Sequence, residues 1–154
     1  MKVSIYSRKA VEELLKTAFP PNKAVISFYD PPHSQRGMEL PPVDYLGKAN
    51  QVFQVAVYDI DLSVLPTYGL TYDTYFTEAD DLARFIYSAK ASRSDIICQC
   101  EYGESRSSAC AAAILEHFYK TGLSIFTDYR YYPNQVVYHK VFDALERFKN
   151  GKHT

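Results

Sequence analysis

The sequence predicts an α/β fold: a mostly parallel central sheet flanked by helices, built as one domain over residues 1–154. Three observations carry this reading. Short runs rich in Val, Ile and aromatic residues alternate with segments whose apolar residues recur at helical spacing. One run, DIIC at 95–98, is continuously apolar, as expected for a strand covered on both faces. With 154 residues, 47% of them hydrophobic and 23% charged, the chain suits one ordinary core rather than two domains or a disordered chain.

The elements follow in order. VSIY at 3–6 and AVISFY at 24–29 read as strands. Between them Ser7 caps a helix whose Val11, Leu14 and Leu15 share one face. Residues 30–42, with Pro31, Pro32, Pro41, Pro42 and Gly37, read as loop. VFQVAVY at 52–58 is a third strand, and DIDLSVLPTYGLTYDTY after it reads as a long loop. Thr77 opens the next helix, where Thr77 and Asp80 have the spacing of a capping box with Asp in place of the usual Glu. Leu82, Phe85, Ile86 and Ala89 form its buried stripe. Ala111, Ile114, Leu115 and Phe118 repeat the helical spacing, and Gly122 is placed to end that helix. The last helix follows Pro133, capped by Asn134, with Tyr138, Val141, Phe142, Leu145 and Phe148 on its apolar face.

Charge and cysteine usage narrow the function classes. Seventeen Lys+Arg against eighteen Asp+Glu leave a net charge of −1, which argues against a protein that coats nucleic acid or an anionic membrane. No run approaches the roughly 20 apolar residues of a membrane-spanning helix. The start, MKVSIYSRKAVEELLK, turns charged too early for a signal peptide. Three cysteines, an odd number with Cys98 and Cys100 in a buried run, fit free thiols in a reducing cytoplasm. The 14 tyrosines and 9 phenylalanines lack basic interleaving and read as packing rather than as a nucleic-acid stacking surface.

Chemistry concentrates in DIICQCEYGESRSSACAAAILEHF, residues 95–118. A buried strand runs through a short loop containing Gly103 into an amphipathic helix. A helix N-terminus offers unpaired N–H groups and the positive end of a dipole, so it suits an anion. Cys100 ends the strand and Arg106 starts the helix, with five residues between. A loop over that interval can aim N–H groups at a phosphate-sized ligand, which the Arg106 fork would grip by two oxygens. The same field favours the thiolate form of Cys100. Cys-to-Arg spacing alone is weakly specific; the strand, Gly103, Ser107 and the helix around it make it strong. A zinc site from Cys98, Cys100, Cys110 and a histidine lacks the usual Cys spacing. His33, His117, His139 and His153 are scattered and read mostly as surface residues.

Cys100-Glu101-Tyr102-Gly103-Glu104-Ser105-Arg106-Ser107 resembles the signature loop of the cysteine-based protein tyrosine phosphatases, in particular the compact dual-specificity group. AVISFYDPP, VFQVAVYDID, the helix from Thr77 and the YPN before the last helix fall in the order seen in small phosphatase-like proteins, so the resemblance spans most of residues 23–148. It implies phosphomonoester hydrolysis in two steps, with no cofactor and no metal. Cys100 attacks phosphorus, an aspartic acid protonates the leaving oxygen, and water then hydrolyses the phosphocysteine. Glu101, Tyr102, Gly103, Glu104, Ser105 and Arg106 would form the substrate cradle, and Ser107 would assist departure of the thiolate. The implied acid follows a strand upstream of the cysteine; Asp59 is favoured at the strand's end, then Asp61, then Asp73. The implied partner is a phosphorylated protein or small phosphoester, with no nucleic acid and no membrane.

Two departures from the family pattern stand out. Gln99 replaces the histidine that usually precedes the cysteine, and Glu101 and Glu104 put carboxylates in a loop meant for a dianion. They motivate a first alternative, a phospho-ligand binding module with little turnover. A second is a phosphatase of RNA 5′ ends, phosphoinositides or another non-protein phosphoester. Cys98 reads as packing, with a protective disulfide to Cys100 as its rival. Cys110 reads as core, and Tyr129-Arg130-Tyr131-Tyr132 as a flank of the pocket.

Overall fold

Four strands, Val3–Ser7 (β1), Lys23–Tyr29 (β2), Gln51–Ala56 (β3) and Asp95–Cys100 (β4), form one sheet in the order β1-β4-β2-β3. Every neighbouring pair is parallel. The structure is a computed structural model that describes residues 1–32 and 41–151. The helices are Arg8–Lys16 (α1), Ala79–Ala91 (α2), Arg106–Tyr119 (α3), Leu123–Phe126 (α4) and Gln135–Lys149 (α5).

Strand alternation divides the core in two. Ala24, Ile26, Phe28, Ile96, Cys98 and Cys100 face α2, α3 and α5, whose Leu82, Ile86, Ala111, Ile114, Val141 and Leu145 are buried against them. Val25 and Ile97 face the other way, under Val11 and Leu15 of α1 and under Val43 and Tyr45 of the following segment. Burial of each large aliphatic side chain contributes roughly 1.5–3 kcal/mol. Because β4 lies between β1 and β2, its last residue emerges at the carboxyl end of the sheet, where open α/β sheets place ligands.

Two of the three predicted side-chain caps form, those of Ser7 and Asn134. Ser7 Oγ accepts from the Ala10 N–H at 3.0 Å, and Asn134 Oδ1 accepts from the Val137 N–H at 2.9 Å. Other local expectations are corrected. The long loop after β3 contains a 3₁₀ helix, Leu62–Tyr68, which buries Leu65 and ends at Gly69 with φ +69. The third strand stops at Ala56 rather than Tyr58; beyond it Pro31 has no N–H to continue the ladder with β2, and the Val57 carbonyl accepts from Arg106 Nη1. The Thr77 capping box does not form: α2 starts at Ala79, and Thr77 Oγ1 donates to Glu78 Oε1 instead.

Gly122 does not end α3; Lys120 does, in the left-handed region at φ 59. A Cβ on Gly122 would stand 2.6 Å from the Ala112 carbonyl oxygen and 2.8 Å from Glu116 Cβ, so this glycine is required for space rather than conformation. The two positions should therefore respond in opposite senses. Lys120→Gly is expected to raise the unfolding free energy by about 1 kcal/mol by relieving a left-handed side chain. Gly122→Ala is expected to lower it by about 1–3 kcal/mol through overpacking. Urea unfolding midpoints at constant slope check both.

Candidate active site

Cys100 ends β4 opposite Ser7, the last residue of β1, and is 2% exposed. Its Sγ lies 3.1 Å from the Oγ of Ser107, in the first turn of α3. Between them the chain turns through Gly103 at φ +70. A Cβ there would approach the Ser7 backbone nitrogen to 2.7 Å, so both the turn and the packing of the loop on β1 demand glycine. The Arg8 N–H donates to the Glu101 carbonyl at 3.0 Å and fixes the loop's first residue to the start of α1.

Arg106 is 1% exposed. Its Nη1 donates to Asp30 Oδ1 at 2.9 Å and to the Val57 carbonyl at 2.8 Å, joining the ends of β2 and β3 to the start of α3. Its Nε is buried and, among the described residues, meets no hydrogen-bond acceptor. An N–H left so costs about 1–3 kcal/mol relative to one that is bonded.

Of the three candidate acids, the structure brings Asp59 to the loop. Its Oδ1 accepts from Ser105 Oγ at 2.7 Å and from Asn134 Nδ2 at 2.9 Å, and the same Asn134 amide also donates to the Ile60 carbonyl. Asp61 is exposed at the start of the 3₁₀ helix and makes no side-chain cap bond there. Asp73 is exposed beside Lys140 and Arg147 of α5, away from the loop.

The loop's carboxylates turn outward. Glu101 Oε1 accepts from Arg8 Nε at 2.9 Å, and Glu104 is exposed. The Glu104 carbonyl holds the Ser108 hydroxyl and the Tyr132 N–H, and Tyr102 is exposed. Ser105 lends its carbonyl to the N–H groups of Ala109 and Asn134. Behind Cys100, on the α1 face, Gln99 Nε2 donates to the Cys100 carbonyl at 3.0 Å. Its Oε1 accepts from Ser27 Oγ at 2.5 Å and Tyr45 Oη at 2.8 Å. Burial pushes the Tyr45 hydroxyl's pKa up, which keeps it a donor. Two acceptances at one oxygen fix the amide's orientation, so the donor end faces Cys100.

Asp30, Arg8, Ser27 and Tyr45 were not legible as site residues in the sequence. Asp30 and Arg8 do sit directly at strand ends, the one signal that could have marked them. His117 is buried rather than on the surface, between Tyr87 Oη and Glu146 Oε2. His33 and His153 lie outside the described residues. Cys98 and Cys110 are free and buried; a hydrogen bond to Cys110, then burial, pushes the Cys98 thiol pKa well up. Tyr131 and Tyr132 line a cavity that adjoins Ser105 and Asp59.

No protein-family model and no curated protein matches the sequence. Solved structures do. PTPMT1 superposes with a TM-score of 0.53 at 11% identity, over 97% of this chain and 93% of its own. Human DUSP28 gives 0.52 at 16%, over 96% and 90%. The human tyrosine phosphatase-like serine/threonine/tyrosine-interacting protein gives 0.51 at 12%, over 93% and 87%. The chain has the dual-specificity phosphatase fold. In that fold the segment 100–107 joins the central strand to the helix that follows it. Gly103 is the position where the loop tolerates no side chain. Gly103→Ala is expected to lower the unfolding free energy by roughly 1–3 kcal/mol, read by urea unfolding. Tyr102→Ala, on an exposed side chain of the same loop, should stay within about 0.5 kcal/mol.

Proposed function

We propose that the chain hydrolyses phosphomonoesters through a phosphocysteine formed on Cys100. The observation that carries this reading is the Arg106 Nε, a buried cationic N–H with no acceptor among the described residues, next to a helix N-terminus and a cysteine. A phosphate oxygen would meet that N–H and the dipole together. The fold shared with dual-specificity phosphatases supports the reading at the level of architecture.

The residues then take complementary parts. The Cys100 thiolate attacks phosphorus and forms an S–P bond as the P–O bond to the alcohol breaks. Asp59, held at the loop by Ser105 and Asn134, gives its proton to the departing oxygen. Arg106 and the loop backbone hold the charge on the equatorial oxygens. Water next attacks phosphorus and passes a proton to the Asp59 carboxylate. The S–P bond breaks, and the returning thiolate accepts a hydrogen bond from Ser107, whose hydroxyl already lies 3.1 Å from Sγ.

A second reading, a phospho-ligand binding module, is favoured by Gln99 in place of the family's usual histidine. Hydrolysis of an aryl phosphate in reductant and chelator separates the two. Phosphatase action predicts turnover that survives chelation and is abolished in Cys100→Ser. Tungstate binding without turnover in the wild type would select the binding module. Arg106→Lys keeps the charge but loses the fork, and is expected to lower kcat/KM about 100-fold, the scale of losing one oriented donor. Asp59→Asn should slow alkyl phosphates more than aryl phosphates bearing good leaving groups. An unchanged ratio would remove Asp59 from the acid's part.

A further inference from the structure

A cavity of about 620 Å³ opens beside the loop on the side of Ser105. That volume suits a small ligand group. It shares Asp59 and Ser105 with the proposed reaction centre, so an alcohol protonated by Asp59 would have its body in this space. Phe126, Tyr131 and Tyr132 supply aromatic walls, and Asp61 adds a carboxylate that takes no part in the proton transfer. Among the described residues, the lining includes no Lys, Arg or His.

The nearby charges keep this sign. Arg130 lies over the Tyr131 ring, 5.1 Å from its centroid, but its Nε and Nη2 grip Asp128 at 3.0 and 2.7 Å. Arg106 is bound to Asp30. Glu104 is exposed, and its carbonyl accepts from the Tyr132 N–H at 2.8 Å. A cation entering the cavity would meet aromatic faces and the Asp61 carboxylate, both attractive. A second phosphate or carboxylate would meet the Asp61 charge with no cation among the described lining residues to pair it.

Resting on the phosphatase reading, we infer that this cavity selects phosphomonoesters whose alcohol carries a cationic group and disfavours those that carry further anionic groups. Asp61 is the residue that sets this preference without taking part in the chemistry.

The test is competition against aryl phosphate hydrolysis by the full chain, using three alkyl phosphates of similar size. Phosphocholine, glycerol 1-phosphate and 2-phosphoglycolate carry a cation, no charge and an anion beside the phosphate. Inhibition constants are expected to rise in that order by about fivefold per step, the scale of one exposed charge contact. The spread should collapse in about 1 M salt. Asp61→Lys, at an exposed position without a cap bond, should reverse the order of the inhibition constants. Phosphotyrosine peptides with Arg or Glu beside the phosphotyrosine, used as further competitors, identify the cation's source. A preference confined to the peptides supports a peptide side chain, and one confined to the small esters supports an amino-alcohol phosphate. Equal constants throughout, or an order that Asp61→Lys leaves unchanged, overturn the inference and leave the phosphatase reading standing. Loss of Cys100-dependent hydrolysis in the wild type overturns both.

Discussion

Taking a guanidinium out of water costs several kcal/mol unless acceptors meet it, and Arg106 is 1% exposed. Its Nη1 is met by a carboxylate from the end of β2 and a carbonyl from just past β3. These contacts tie three elements at one point, at the mouth of the sheet. The remaining Nε is buried and meets no acceptor among the described residues.

The sheet's two faces divide the work around the cysteine. Even-numbered residues of β4 carry Cys98 and Cys100 toward α3, where Ser107 waits. The intervening Gln99 points to the α1 face and holds the Cys100 carbonyl from behind through a neutral network with Ser27 and Tyr45. A neutral amide with its orientation fixed by two hydroxyls thus stands directly before Cys100. The loop's acidic residues are handled in similar fashion. Glu101 is drawn aside by Arg8, and Glu104 faces solvent.

Much of this was legible in the sequence where local rules act alone. The alternation of strands and helices, the Ser7 and Asn134 caps and the stripe of Leu82 and Ile86 depend on neighbours within one turn. The loop from Cys100 to Ser107 could be read because its chemistry is contiguous. Contacts between distant segments could not be read. Asp30 meets Arg106 across 76 positions and Tyr45 meets Gln99 across 54, and no periodicity encodes such pairs. The Gly122 expectation missed for a related reason. A glycine near a helix end is consistent with a left-handed cap and with tight packing, and only the neighbour at Ala112 distinguishes them.

Asn134 spends both ends of its amide. The oxygen caps α5, and the nitrogen reaches Asp59 and Ile60. Serine, threonine and aspartate would each serve as a helix cap, yet none offers an amide donor to the carboxylate. Aspartate would set a second negative charge against it. Sequence drift at this position is therefore limited by two unrelated requirements at once. A redesign that treated residue 134 only as a helix terminus would keep the helix and release the Asp59 carboxylate.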